Sequence, residues 1–185
     1  MKTTLVLASF VIVAASQPAQ AQTAAPTNPM IGSIGQEWRR VSGNIARAAE
    51  QVPESDYGFH PTPAVRTFAQ LIGHLTDTQF EICAAALNEK PKAVEGDWEK
   101  KTAKAELTAA FRESSEYCAR AYAQPDAAAS LPIKLFGDDA TRFNALVHNA
   151  VHDGEHYGNI VTYMRIKGMV PPSSQPTPPT PAPAR

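Results

Sequence analysis

Three histidines recur at every fourth position near the end of the chain, His148, His152 and His156, and His74 lies far upstream of them. Because a helix turns by about 100° per residue, side chains four positions apart lie on one face and can reach a single ion. Neutral imidazole binds zinc, nickel, iron or copper, and a set of three leaves positions open for water or substrate. The spacing therefore predicts a metal site that His74, which lies in a second helical segment, completes.

A solvated cluster of histidines without a metal is the alternative explanation for this spacing. The third predicted helix, however, presents an exposed face of charged side chains such as Lys104, Glu106 and Arg112. The last helix instead presents imidazole, amide and phenol groups on one face, which are His148, His152, His156, Asn159 and Tyr163. A polar face with so little charge favours a cleft between helices over open surface.

The stretch from His152 to His156 also matches the H-x-x-E-H pattern of inverted zinc peptidases. In that chemistry the glutamate activates water, and an acidic residue further along the chain completes the metal site. No Asp or Glu follows Glu155 in this sequence. The peptidase hypothesis therefore survives only if His74 replaces the missing acid.

Four amphipathic segments carry these residues, and almost no stretch shows the alternation of a strand. Proline or glycine follows three of the segments, at Val52-Pro53, Pro125 and Gly168. The predicted helices span residues 29–51, 64–88 and 102–123, and a last stretch from just after Asp139 to Lys167. Four helices of about 20 residues joined by short loops predict an all-α fold, a four-helix bundle.

The last predicted helix has an apolar face opposite its histidines. On a helical wheel this predicted core face gathers Phe143, Leu146, Val147, Ala150, Gly154, Tyr157, Val161 and Met164. Glycine inside a helix costs about 1 kcal/mol relative to alanine, and Gly154 and Gly158 follow Ala150 at intervals of four. These small residues predict the close approach of another helix backbone.

The start of the chain has the three parts of a secretory signal peptide. One lysine is followed by an apolar run from Leu5 to Ala15 and by small residues at Ala19 and Ala21. We therefore expect residues 1–21 to be removed and the protein to be exported, as a periplasmic or secreted protein. No later apolar run reaches the length of about 20 residues that a membrane-spanning helix needs.

Proline frequency marks the other boundaries of the expected domain. Residues 22–28 are predicted to be a linker, and residues 29–169 the folded bundle. Residues 170–185 contain repeated prolines, which lack an amide hydrogen, and are predicted to be a disordered tail that joins no packed element.

Charge and cysteine content limit the partners. The net charge is −1 and no basic run occurs, so neither nucleic acid nor an anionic membrane is an expected partner. An exported chain meets an oxidising compartment, where Cys83 and Cys118 are expected to form a disulfide. The alternative is that both are small buried side chains.

Several motifs together resemble the DinB family. They are the stretch from Tyr57 to Pro63, the Leu-Ile-Gly-His-Leu around His74, the stretch from His152 to Asn159, and the ending Gly168-Met-Val-Pro-Pro172. The resemblance covers nearly the whole expected domain. It implies a four-helix bundle with a divalent metal held by three histidines, which by position are His74, His152 and His156.

Two histidines lie outside the ligand set that the resemblance implies. His148 is one turn before His152 and is a cleft residue, an outer neighbour of the metal or a surface side chain, while His60 is expected to be structural. Many relatives carry a second histidine or Arg-Gly-Gln just after the last ligand, where this chain has Tyr157-Gly158-Asn159. The activity of a particular relative therefore does not transfer directly.

The resemblance implies thiol-dependent transferase or isomerase chemistry, or metal-dependent hydrolysis. An ion with open positions lowers the pKa of a bound thiol or water. Because small thiols are scarce outside the reducing compartment, the expected export favours hydrolysis. We therefore expect a hydrolase that uses zinc, nickel or iron and a water molecule activated at the ion, with Glu155 as a base or as an outer partner of the metal ligands.

The sequence is compatible with three other functions. The chain could be a thiol-dependent transferase, a protein that binds the ion or a small ligand without turnover, or a bundle whose ion only staples two helices. The partners expected are a small molecule and a second copy of the chain.

Overall fold

A computed structural model of the 185-residue chain describes residues 28–90 and 97–176. The predicted signal peptide and the predicted linker up to residue 27 lie outside the described residues. Within the described ranges the chain forms four long α-helices and one small hairpin, so the all-α bundle is confirmed. The helices are α1 (Pro29–Gln51), α2 (Phe68–Leu87), α3 (Lys104–Tyr122) and α4 (Arg142–Ile166).

The order of the helices around the bundle differs from their order in the chain. α1 packs against α3 and α4, and α2 packs against the same two helices. α1 and α2 are therefore diagonal to one another. Two buried apolar clusters fill the interior, and the contact between α2 and α4 places the two histidine-bearing helices side by side.

α2 begins later than its sequence pattern predicted. The hydroxyl of Thr67 accepts a hydrogen bond from the backbone of Gln70, and the Gln70 side chain accepts one from the backbone of Thr67. This capping box starts the helix at Phe68 rather than near Ala64. Residues 58–67 remain an irregular segment in front of the helix, and this segment becomes one wall of the candidate site.

A β-hairpin stands before α4, where a helix start was predicted. Strands β1 (Pro132–Leu135) and β2 (Asp138–Thr141) pair antiparallel, with Ile133 opposite Ala140. Phe136 and Gly137 form the connection with φ of 52° and 93°, as expected for a two-residue hairpin turn. The Thr141 hydroxyl then caps α4. The predicted helix start after Asp139 was therefore wrong, because those residues belong to β2.

The buried face of α4 is rotated relative to the predicted one. Leu146, Ala150, Tyr157 and Met164 are buried as expected, but so are several polar or unpredicted residues. These additional buried residues are Ala145, Asn149, Asp153, His156, Ile160 and Tyr163. A side chain at Gly154 or Gly158 would meet no atom within 4 Å, so the predicted close approach of a helix at these glycines was wrong.

Cys83 on α2 and Cys118 on α3 face one another, with their Cα atoms 5.2 Å apart and their sulfur atoms at bonding distance. Both side chains are fully buried. The pair therefore lies between two neighbouring helices, and the disulfide that the sequence favours stays a prediction.

The first part of the proline-rich tail is ordered, which corrects the predicted disorder from residue 170. Pro172–Ser174 forms a single 3₁₀ turn, and the Tyr157 hydroxyl accepts a hydrogen bond from the backbone of Ser173 at 3.0 Å. Gln175 donates to the side chain of Gln51 at 2.8 Å. Prolines without an amide hydrogen can still pack when side chains on α1 and α4 supply the partners. Residues 177–185 lie outside the described part.

None of the helices in the described ranges is both long and apolar enough to cross a membrane.

Candidate metal centre

Three imidazole nitrogens converge between α2 and α4. Nε2 of His152 lies 3.1 Å from Nε2 of His74 and 3.1 Å from Nε2 of His156. One ligand atom from each of the three residues lies within 4.8 Å of the others. The spacing of four on α4 stacks two rings on one face, and the packing of α2 against α4 supplies the third. The three predicted ligands are therefore brought together.

The donor set and its spacing fit a divalent transition metal. Two imidazole nitrogens 3.1 Å apart, each about 2.0–2.1 Å from one ion, subtend roughly 100° at that ion, close to a tetrahedral angle. Three neutral nitrogen ligands with no carboxylate suit zinc, nickel or iron better than calcium or magnesium.

The electrostatic environment keeps the three imidazoles neutral. Burial lowers the pKa of His74, His152 and His156, and it is the largest cause at each of them. At His152 the neighbouring His156 and His74 add to the effect and the pKa falls to about 3. The Arg66 charge also lowers the pKa of all three. Neutral imidazoles offer the lone pairs that a metal requires.

The outer nitrogen of His74 faces a carboxylate that the sequence patterns did not reveal. Oε2 of Glu99 lies 3.3 Å from Nδ1 of His74, and Oε1 of Glu99 accepts a hydrogen bond from Nε of Arg66 at 2.7 Å. A carboxylate behind a metal-binding imidazole fixes its tautomer and its orientation. Glu99 therefore links Arg66 to one of the three candidate ligands.

A short 3₁₀ turn, Trp98–Lys100, carries Glu99 and is fastened to α2. The Asp77 carboxylate accepts hydrogen bonds from the backbone N–H groups of Trp98 and Glu99, at 3.3 and 3.2 Å. A Cβ atom at Gly73 would overlap the carbonyl oxygen of Trp98. Gly73 is thus the position where another backbone approaches a helix closely, one residue before His74.

The two histidines on α4 have different outer neighbours. Nδ1 of His156 lies 3.3 Å from the Asn159 side-chain amide, one turn further along the helix. Nδ1 of His152 is buried and has no hydrogen-bond partner within the described ranges. Asp153, between them in the chain, contacts Gln79 on α2 instead.

Asp153 is a fully buried carboxyl group beneath the site. It accepts a hydrogen bond from Gln79 at 2.7 Å, and the Gln79 carbonyl oxygen in turn accepts from Ser114 at 2.9 Å. Burial raises the pKa of Asp153 to about 7, against the opposing effects of Gln79 and the Trp38 indole. This polar chain joins α2, α3 and α4 behind the histidines.

A cavity of about 580 Å³ opens on one side of His156. Its other walls come from the irregular segment before α2, from the Trp98–Lys100 turn and from α4. The lining residues are Pro61, Thr62, Ala64, Val65, Arg66, Leu71, Glu99, His156, Asn159 and Tyr163. This volume lies within the usual range for small-molecule sites.

The other histidines lie outside the cluster of three. His148 is exposed, and its ring packs between the rings of Phe136 and His152 at centroid distances of 5.6 and 6.1 Å. Nδ1 of His60 lies 2.6 Å from the carbonyl oxygen of Thr62 in the loop. His60 therefore holds the loop, in keeping with its expected structural role.

Glu155 is exposed and does not belong to the cavity lining. Its charge raises the pKa of His156, opposing the effect of burial. The catalytic role expected for Glu155 stays a prediction.

A four-helix bundle with three convergent imidazoles between two helices defines a class of candidate metalloproteins, and comparison with known proteins identifies the family. The profile of the DinB superfamily matches residues 37–160, more than half of the chain. The chain belongs to the DinB superfamily.

One solved structure with a similar fold is the crystal structure of a DinB-like protein from Bacillus cereus ATCC 10987. The TM-score is 0.64 at 16% sequence identity, and the match covers 75% of this chain and 93% of that chain. At this identity the likeness shows the fold alone. No curated protein matches the chain.

Proposed function

We propose that the chain is an exported metal-dependent hydrolase with a zinc, nickel or iron ion held by His74, His152 and His156. The observation that carries the proposal is that His156 lines a cavity of about 580 Å³. An ion that only stapled α2 to α4 would need no such opening. A divalent ion held by these residues would supply Lewis acidity, which would lower the pKa of water and polarise a carbonyl or phosphoryl oxygen.

The surrounding residues have separate tasks in this proposal. Burial keeps the three imidazoles neutral, while Glu99 orients His74 and Asn159 orients His156. The Tyr163 hydroxyl donates to the carbonyl oxygen of Arg66 at 2.7 Å and so ties α4 to the loop wall. These contacts hold the cavity open beside the ligands.

Glu155 is the proposed proton acceptor. Its support is its place in the chain directly before His156, whose pKa its charge raises. Proton transfer by such a positioned carboxylate typically contributes about 10²–10⁴-fold to a rate.

The hydrolase proposal is tested with a panel of aryl esters and amides. The metal-loaded protein should turn over at least one class, and His156→Ala should abolish that turnover. His148→Ala is the matched control, since it removes an imidazole from the same helix that neighbours His152 but is not one of the three proposed ligands. Turnover that persists in His156→Ala, or that is absent from the whole panel, contradicts the proposal.

The proposed export has two consequences, one for the cysteines and one for the amino terminus. In an oxidising compartment the facing sulfurs of Cys83 and Cys118 would be bonded. Amino-terminal sequencing of the protein from the producing cell should begin at Gln22. A mature chain that retains residues 1–21 would contradict export.

A further inference from the structure

We propose that the cavity beside the three histidines binds a small organic carboxylate, with the terminal nitrogens of Arg66 as its recognition group. This inference rests on the proposed function, because it names the substrate class of the same site. It is carried by the placement of Arg66, by the balance of charge in the cavity and by the apolar part of its lining.

Arg66 is held in place but leaves hydrogen-bond donors free. Its Nε donates to Glu99 at 2.7 Å, and its backbone carbonyl accepts from the Tyr163 hydroxyl at 2.7 Å. Its two terminal nitrogens make no hydrogen bond to any residue in 28–90 or 97–176. A fixed guanidinium with two free nitrogens matches the two oxygens of a carboxylate.

The charges around the cavity favour an anion. Arg66 and Glu99 are its charged lining residues within the described part of the chain, and their charges cancel. Both oxygens of Glu99 already have partners, Arg66 and His74, so Glu99 offers little to a cationic ligand. A bound divalent ion would then leave the cavity positive.

The remaining lining residues favour an anion that carries an apolar group. Pro61, Ala64, Val65 and Leu71 contribute carbon surface, and Val65 is 45% exposed. With one arginine and no second free cation among the described lining residues, a singly charged carboxylate fits better than a doubly charged phosphate. Arg66 would bind the carboxylate, and the rest of the molecule would extend toward His156.

The test measures binding of three probes to the zinc-loaded protein by calorimetry. Phenylacetate is compared with phenylacetamide, its neutral analogue of the same shape, and with phenyl phosphate. Because a hydrogen bond to a charged group is about twice as strong as a neutral one, the acid should bind at least about 10-fold tighter than the amide. Equal binding of acid and amide, or tighter binding of phenyl phosphate, would overturn the proposal.

Variants then assign the recognition to Arg66. Arg66→Gln should weaken phenylacetate binding about 10-fold or more, and Arg66→Lys, which keeps the charge without the planar fork, should fall between the two. Arg40→Gln is the matched control, because Arg40 also pairs with a glutamate through Nε but lies on the exposed side of α1. Unchanged phenylacetate affinity in Arg66→Gln would overturn the assignment.

Zinc content is measured on every sample, which separates this proposal from the metal site itself. Absence of zinc from the wild-type protein would count against the proposed function. A wild type that holds its full zinc complement but binds acid and amide equally would count against the carboxylate proposal and leave the metal site standing. If Arg66→Gln loses zinc, the affinities of the wild type and of Arg66→Lys for phenylacetate and phenylacetamide still test whether Arg66 binds the carboxylate.

Discussion

The Glu99 carboxylate lies 3.3 Å from Nδ1 of His74, while Nε2 of the same ring lies 3.1 Å from Nε2 of His152. The two nitrogens of one imidazole thus face a carboxylate on one side and the candidate metal position on the other. A proton on Nδ1 that is shared with Glu99 leaves the lone pair of Nε2 directed at the site. Glu99 is therefore placed to act as the outer partner of His74 in the candidate site.

Removal of this carboxylate should weaken metal binding without unfolding the bundle. Glu99→Ala should lower the zinc affinity about 10–100-fold, as is usual for outer partners of metal ligands, and Glu99→Gln should lower it less. The measurement is a competition titration against a chromogenic chelator. Asp97→Ala, in the same loop, is the control, and an equal effect of both alanine substitutions would refute the role of Glu99.

Gly73 should tolerate no side chain, because of the backbone that lies against it. In Gly73→Ala the new Cβ would overlap the Trp98 carbonyl oxygen, so the Trp98–Lys100 turn must move. We expect a loss of about 1–3 kcal/mol in the free energy of unfolding and weaker zinc binding, since Glu99 moves with the turn. Chemical denaturation and the chelator titration measure the two effects.

Gly154 provides the matched control on α4. It lies between His152 and His156 in the chain, but a Cβ there would meet nothing within 4 Å. Gly154→Ala should therefore stabilise the protein by about 0.5–1 kcal/mol through helix propensity alone. Destabilisation by Gly154→Ala, or none by Gly73→Ala, would show that the backbone packing is described incorrectly.

The bundle and the three histidines could be predicted because their signals are local. Helical periodicity and a spacing of four place His152 and His156 on one face of a helix, independently of how that helix packs. Glu99 has no such signal, since it reaches His74 through the packing of a loop on Gly73 and Asp77. The hairpin was missed because its strands are short and because Phe136, rather than Asn or Gly, adopts a positive φ.

The rotated face of α4 has a related cause. Hydropathy favours Val161 and Gly154 over Asp153 and Asn149 for the interior, yet both polar residues are fully buried. One oxygen of the Asp153 carboxyl group accepts a hydrogen bond from Gln79 on α2, a partner that becomes visible only once the two helices are packed together.

The proposed role of Glu155 separates turnover from metal binding. Glu155→Gln should reduce the turnover of the best ester substrate about 100-fold and leave the zinc content unchanged, because no zinc ligand is altered. Glu116→Gln, an exposed glutamate on α3, serves as the control. If Glu155→Gln retains full turnover, the base must be sought elsewhere.

Acid should destabilise the metal-free protein through His152. Its pKa is lowered from 6.5 to about 3 in the folded state, so below pH 6.5 the unfolded chain binds a proton that the folded chain does not. Stability is therefore lost as the pH falls from about 6.5 toward 3. Between pH 7 and pH 5 the wild type should lose about 1–2 kcal/mol more than His152→Gln. Parallel denaturation curves for the two proteins would contradict this.

Metal stoichiometry is the most direct test of the central claim. Protein purified without a histidine tag, incubated with zinc and dialysed, should retain one ion per chain by elemental analysis. His74→Ala and His152→Ala, singly and together, should lose it, whereas His148→Ala and His60→Ala should keep it. A wild type without bound metal, or a double variant that still holds one ion per chain, would contradict the three-histidine site.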